Sequence, residues 1–371
     1  MWRRKLIDFD IARDCDFLGL WDGYFDASEL KETTSNWHLF TFSDNFAYFV
    51  KTAEPFAEYN AQKCPFVYWQ QTLEATHFAR IPLPVFIRVF SQVADTSSRV
   101  VLFTNCPRSG TTLLTRMLHV PGHSIAFSEP DAFTMLAIVQ EEQKWEPDIF
   151  RKVLDCTIRA YTFGLPDDQL VFIKTQSNVT RLIPIYRELL PDMKHMFMYR
   201  RNIGKCMRSL VKMLIGASGT TETFQLLPIS KQVTKWLIGF SRFETNYWNC
   251  IQPKNAREFA WLIYGAPYSR FLQWQDAFLA SVAFEDLLAD TDEGLTSLYQ
   301  PFQLPLSKIP QAKLQLNIDS QANTILSQSS LGKLGVEDDD TNVEERAKHI
   351  AAVFDLEPSF FAGTHFIEKR T

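Results

Sequence analysis

Cysteine is scarce and scattered. The 371 residues hold six (Cys15, Cys64, Cys106, Cys156, Cys206 and Cys250), with no CxxC and no Cys/His pair at zinc-ligand spacing. This argues against a structural zinc site and a disulfide framework, and leads us to expect free, mostly buried thiols in a reducing, cytoplasmic setting. Glycine (14) and proline (18) are too few for collagen-like or low-complexity chains. No excess of positive charge exists either: Lys+Arg is 38 against Asp+Glu 43, a net charge of −5, which gives no electrostatic reason to expect nucleic-acid binding. The longest stretch free of Asp, Glu, Lys and Arg is the 14 residues from Gly294 to Ser307, too short to span a bilayer. The first residues, MWRRKLIDFDIARDCD, lack the apolar stretch of a secretory signal. HExxH, EF-hand and GxSxG patterns are absent, which removes support for the commonest metalloprotease, calcium-binding and α/β-hydrolase readings; no metal is expected.

The chain does carry ample hydrophobic residues (46%) for one large α/β domain with elaborations, or for two packed domains. Residues 1–97 are rich in aromatics without clean alternation, and are expected to form a mostly helical cap. From Arg99 the character changes. Val100–Thr104 (VVLFT) is a short apolar run ending in a turn-like NCPRSG, and reads as a buried strand. Thr111–His119 then places Leu113, Leu114, Met117 and Leu118 on one helical face. The unit recurs: strands at Leu170–Lys174, His195–Tyr199 and Ser281–Phe284, with helices at Arg181–Leu190 and Lys205–Leu214. Alternation of this kind predicts a three-layer α/β/α domain over 98–310, with a central, mainly parallel sheet. Residues 215–280 read as a helical region broken by Gly216–Thr223, a candidate mobile loop. Residues 311–371 read as a C-terminal segment with an acidic run at Glu337–Asp340.

The most informative stretch is Asn105-Cys-Pro-Arg-Ser-Gly-Thr-Thr112, between a strand and a helix. Ser109, Gly110, Thr111 and Thr112 would present successive backbone N–H groups at a helix N-terminus, an anion-binding arrangement, and Arg108 adds a guanidinium fork. Set against the Walker pattern GxxxxGK[ST], the first glycine falls on Asn105 and the lysine on Thr111. A phosphate loop without that lysine suits a nucleotide with a shorter 5′ group better than a triphosphate. The bland alternative is an ordinary polar strand-to-helix turn.

These residues resemble a family. PRSGTTLL is similar to the 5′-phosphosulfate loop of sulfotransferases, whose donor is 3′-phosphoadenosine 5′-phosphosulfate (PAPS). Arg108 stands where cytosolic members usually carry Lys and where Golgi-type and tyrosylprotein members carry Arg. The third strand runs into Tyr199-Arg-Arg-Asn-Ile-Gly-Lys-Cys-Met-Arg-Ser209. The family's 3′-phosphate motif has an Arg at such a strand end and a Ser eight residues on, a spacing that selects Arg201 and Ser209 over the neighbouring Arg200. Phe284-Glu-Asp-Leu-Leu-Ala-Asp290 followed by Leu295–Pro305 is similar to the family's C-terminal strand and helix. The resemblance thus covers roughly residues 99–306. It implies PAPS as donor and the nucleotide PAP (3′,5′-ADP) as product.

One departure matters for catalysis. Where cytosolic members read Lys-Thr-His and use the His as base, this chain reads Lys174-Thr175-Gln176. Lys174 is retained; on the resemblance it stabilises the transferring charge, otherwise it caps a strand at the surface. Golgi and tyrosylprotein members carry a glutamate near Ser128-Glu-Pro-Asp131, which makes Glu129 the candidate base. Ser128-x-x-Asp131 also reads as a helix capping box. His119 and His123 form no motif. Over the cofactor, Asp319–Gly335 lacks the Arg-Lys-Gly loop of cytosolic members, with Ser327 and Lys333 as substitutes. The expectation is a PAPS-dependent sulfotransferase acting on a hydroxyl or amine of a small, apolar or aromatic acceptor, with no membrane span and compatible with a homodimer. The alternatives are a non-catalytic PAPS/PAP-binding relative and a P-loop kinase.

Overall fold

A computed structural model describes residues 2–3, 11–32, 36–217, 242–321, 327, 331–332, 343–362 and 364. Most of Gly216–Thr223, together with Lys333 and Glu337–Asp340, lies outside the described residues. In chain order the strands are β1 (Trp37–Phe42), β2 (Phe46–Lys51), β3 (His77–Pro82), β4 (Val100–Asn105), β5 (Ser124–Ser128), β6 (Leu170–Lys174), β7 (Lys194–Tyr199) and β8 (Ala280–Ala283), besides a two-residue pairing of Trp2–Arg3 with Phe17–Leu18.

Strands β4–β8 make one parallel sheet in the order β8-β7-β4-β6-β5. Its central strands are buried on both faces, which explains why VVLFT and LVFIK read as continuous apolar runs. Successive residues serve different layers. Val101, Phe103, Phe172, Met196 and Met198 meet the phosphate-loop helix Thr111–Leu118 and the helix Thr291–Tyr299. Val100, Leu102, Val171 and Ile173 meet helices Asp131–Glu141 and Pro147–Thr162 on the opposite face. This is the three-layer α/β/α architecture expected. Among the described residues, no helix is long and apolar enough to cross a membrane.

The N-terminal region corrects an expectation. It is not a mostly helical cap: β1, β2 and β3 form an antiparallel sheet, flanked by two eight-residue helices, Val67–Glu74 and Leu83–Phe90. Four consecutive residues of β2 and five of β1 are buried, so the alternation that betrays a half-exposed strand is absent. Phe42, Phe49 and Ile81 share one core cluster with Leu102 and Ile173, so this sheet is built into the main core. Strand β5, which ends at Ser128, is an addition to the strands read from the sequence. The Ser128 capping box does not form: Ser128 ends β5, and the helix begins at Asp131 with Pro130 as its N-cap.

A buried charge cluster ties the second face together. Glu244 accepts from Arg181 at 2.6 Å and from both terminal nitrogens of Arg270 at 2.8 and 2.6 Å, while Arg181 also pairs with Glu141. The Glu244 side chain is only 2% exposed. Burial pushes Arg181 below its usual range, whereas for Arg270 the Glu244 carboxylate outweighs burial and leaves it raised. Removing the shared carboxylate leaves two guanidinium groups without their common partner. Glu244→Gln is therefore expected to cost about 3–5 kcal/mol in urea unfolding; a loss below about 1 kcal/mol would show the cluster to be dispensable.

Candidate functional site

Four of the parallel strands deliver polar residues to one cleft at their C-terminal ends, where open α/β sheets bind ligands. Asn105 ends β4, Glu129 follows β5, Lys174 ends β6, and Arg200 follows β7. All four line the cleft, together with Pro107, Arg108, Gly110, Thr111 and Thr112 of the loop after β4. About 230 Å³ of cavity is open there, against roughly 10–15 Å³ for one water, so the space suits an organic ligand.

The loop's shape follows from two left-handed residues. Arg108 has φ 61° and Gly110 φ 80°, the latter immediately before the helix Thr111–Leu118. A Cβ on Gly110 would lie 2.3 Å from two ring carbons of Phe284, so this position needs glycine for conformation and for space. Ser109 is wholly buried, and its hydroxyl has no hydrogen-bond partner among the described residues. Asn105 Nδ2 donates to the Thr175 carbonyl at 2.7 Å and fastens the loop's root to the end of β6.

Arg108 is the central cation. Burial depresses its pKa, and among the described residues the guanidinium hydrogen-bonds only to neutral oxygens: Nε to Ser209 Oγ and Nη1 to Gln321 Oε1, both at 3.0 Å. With five N–H donors on the fork, most remain for a ligand. Two segments far apart in sequence thus meet at this arginine: the helix Ile203–Ala217 through Ser209, and the C-terminal segment through Gln321. The stretch expected to close over the cofactor does reach the cleft, through Asp319, Ser320 and Gln321; Ser327 is buried and is not among the lining residues.

On the far side, Lys174 pairs with Glu129 Oε1, with side chains 3% and 17% exposed. Glu129 Oε2 has no partner among the described residues. The Glu129 backbone has φ 54°, a left-handed conformation that costs a non-glycine residue about 1–2 kcal/mol, and its N–H donates to the Lys174 carbonyl at 2.6 Å. Strain of this kind gathers at functional sites.

Arg201 is not where the motif spacing puts it. Its side chain is 61% exposed, pairs with Asp286, and is not among the lining residues. Arg200 lines the cleft instead. Its guanidinium lies 4.3 Å from the Phe284 ring centroid, its buried Nε has no hydrogen-bond partner among the described residues, and the Tyr264 hydroxyl grips its backbone, donating to the carbonyl at 2.9 Å and accepting from the N–H at 3.2 Å. Glu285 explains the swap. Its carboxylate accepts from the backbone N–H groups of Arg201 and Asn202 at 2.9 and 3.1 Å, fixing the turn so that the following side chain faces Asp286. Burial alone would raise the Glu285 pKa; those two amides and the Arg200 charge together lower it. Phe284, which packs on both Gly110 and Arg200, was not singled out from sequence, although its position at the head of the FEDL motif was the available signal. His119 lies outside the lining; burial brings its pKa down to about 4.

No family model matches the chain, and no curated protein matches it. Among solved structures, similarity is found to a sulfotransferase from Alicyclobacillus acidocaldarius (11% identity, 69% of this chain and 96% of that one, TM-score 0.38). It is also found to a sulfotransferase domain from the curacin biosynthetic pathway (13%, 70% and 97%, 0.34) and to the sulfotransferase STF9 from Mycobacterium avium (10%, 75% and 82%, 0.41). Likenesses of this size carry no inference about function, which has to come from the cleft itself.

Gly110 and Gly122 allow a matched test of the loop. Both have φ near 80°, but a Cβ on Gly122 meets nothing within 4 Å. Gly122→Ala should cost about 1–2 kcal/mol, and Gly110→Ala a further 1–3 kcal/mol from the clash with Phe284. The double variant Gly110→Ala/Phe284→Ala should recover part of that difference; simple additivity in urea unfolding would refute the contact.

Proposed function

We propose that this chain transfers a sulfuryl group from PAPS to a hydroxyl or amine of a small acceptor. The observation that carries this reading is the Arg108 guanidinium, buried beside the loop, hydrogen-bonded among the described residues only to neutral oxygens, and sharing one cleft with a lysine–glutamate pair. The order of the phosphate loop, the Arg–Ser segment and the FEDL segment along the chain supports the same reading.

The residues present fit such a donor. The unpartnered Ser109 hydroxyl and Arg200 Nε, together with the spare donors of Arg108, are buried hydrogen-bond donors that phosphate oxygens would satisfy. Arg108 and the amides of Ser109, Gly110, Thr111 and Thr112 would hold the 5′-phosphosulfate end. Arg200 and Ser209 would hold the 3′-phosphate. PAPS supplies the sulfuryl group: the acceptor oxygen bonds to sulfur as the bond from sulfur to the 5′-phosphate oxygen breaks, its electron pair staying on that oxygen. The chain's own part is to move one proton and to balance charge. Glu129, through Oε2, takes the acceptor's proton; Lys174 holds Oε1 and offers its ammonium to the charge that develops. Phe66, Tyr68, Met213, Phe243 and Ile263 form the apolar wall, which suits an apolar or aromatic acceptor.

Calorimetric titration with PAP tests the donor site. Each charge-assisted bond is worth roughly 1.5–3 kcal/mol, so Arg200→Ala should weaken PAP by about 10- to 150-fold, while Arg201→Ala should stay within about threefold. The reverse ranking would return the 3′ role to Arg201, and a folded wild type that ignores PAP would overturn the proposal.

For the chemistry, Glu129→Gln should lower kcat by about 10²–10⁴-fold with PAP affinity unchanged. Undiminished turnover would remove Glu129 from the base role.

A further inference from the structure

Gln176 is a buried polar side chain of the cleft that the proposed reaction does not use. It is 6% exposed, it lines the cavity with Lys174, Ser177 and Glu129, and its amide makes no hydrogen bond among the described residues, with Oε1 wholly buried. Its placement is rigid. The Thr175 N–H donates to the Phe103 carbonyl at 2.9 Å, the Thr175 carbonyl accepts from Asn105, and the Gln176 carbonyl accepts from the Val179 N–H at 3.2 Å. The chain on both sides of the residue is pinned while its head group is left without a partner.

A buried amide without a partner is destabilising, whereas leucine, of similar volume, would carry no such penalty. The amide also offers both an acceptor and donors, so its complement is a group that both donates and accepts: a hydroxyl or a carboxamide. It stands two residues beyond Lys174, on the same strand end that faces Glu129. The hydroxyl to be sulfated is committed to Glu129, which takes its proton as the O–S bond forms and the sulfur–phosphate bond breaks. The reacting hydroxyl has a single proton, so the donor that satisfies Gln176 Oε1 belongs to a second group.

We propose that Gln176 positions the acceptor by hydrogen-bonding this second group. The acceptor class is then an amphipathic molecule: an apolar body against Phe66, Tyr68 and Phe243, and a head carrying a hydroxyl or carboxamide next to the reacting hydroxyl. This rests on the sulfuryl-transfer reading and narrows its substrate.

The test compares 1-phenyl-1,2-ethanediol with 2-phenylethanol as acceptors from PAPS, for wild type and Gln176→Leu, with PAP titration and thermal melting of both proteins. Wild type should favour the diol by about 10-fold or more in kcat/KM, because a site built to bond a group rejects the analogue lacking it. In Gln176→Leu the preference should fall below about threefold, chiefly through a raised KM for the diol, with PAP affinity unchanged and a melting temperature no lower than wild type. Failure of wild type to bind PAP would sink the underlying function. PAP binding without a diol preference, or a preference that survives in Gln176→Leu, would sink the role of Gln176 alone. A variant that melts several degrees lower would also overturn it, by showing that the amide already has a structural partner.

Discussion

The cleft is organised around one buried positive charge. A guanidinium withdrawn from water must be compensated, and at Arg108 the described residues supply only two neutral oxygens by hydrogen bond, with Glu129 and Asp319 acting through space. That shortfall is what an anion would make up. It also explains why Ser209 and Gln321 converge from segments more than a hundred residues apart: each satisfies part of the fork while leaving the rest toward the cavity. The left-handed Arg108 and Gly110, and the close approach of Phe284 to Gly110, are the backbone conditions under which the arginine sits at that depth.

The opposing side is set by sheet register. Ser128 and Lys174 are partners across β5 and β6, so the residue after β5 and the lysine ending β6 are neighbours by construction. Glu129 leaves its strand in a left-handed conformation held by its own N–H bond to the Lys174 carbonyl, and the side chains of the same two residues pair. Backbone and side chain therefore fix one relationship twice. A carboxylate held by one oxygen, with the second turned free, is suited to receive a proton without wandering from its place.

Much of this fold is legible in the amino acids because parallel strands buried on both faces read as unbroken apolar runs; VVLFT and LVFIK lie within a residue of β4 and β6. The same property hid β1 and β2, whose continuous burial removes the alternation that separates strand from helix among aromatics. The turn between β4 and its helix is legible because a tight turn and a helix start dictate its residue types. Arg200 and Arg201 mark where counting fails. Spacing identifies a turn, but which of two adjacent side chains enters the cleft is decided by Glu285 and Asp286, some eighty residues away, and by the grip of Tyr264 on the Arg200 backbone.

On the resemblance to Lys-Thr-His strand ends, Gln176 stands at the histidine position, and the sheet gives that difference a structural meaning. Because β5 and β6 are adjacent and in register, a base can be supplied from either strand end without altering the sheet. In the proposed reaction Glu129, just after β5, has that role, which releases the position two residues after Lys174 from proton transfer while it stays buried in the cleft. An amide there cannot take a proton, yet it can read both donors and acceptors on a ligand. In that proposed division of labour the proton acceptor and the recognition group lie just past the ends of neighbouring strands, where either can change without disturbing the loop that follows β4.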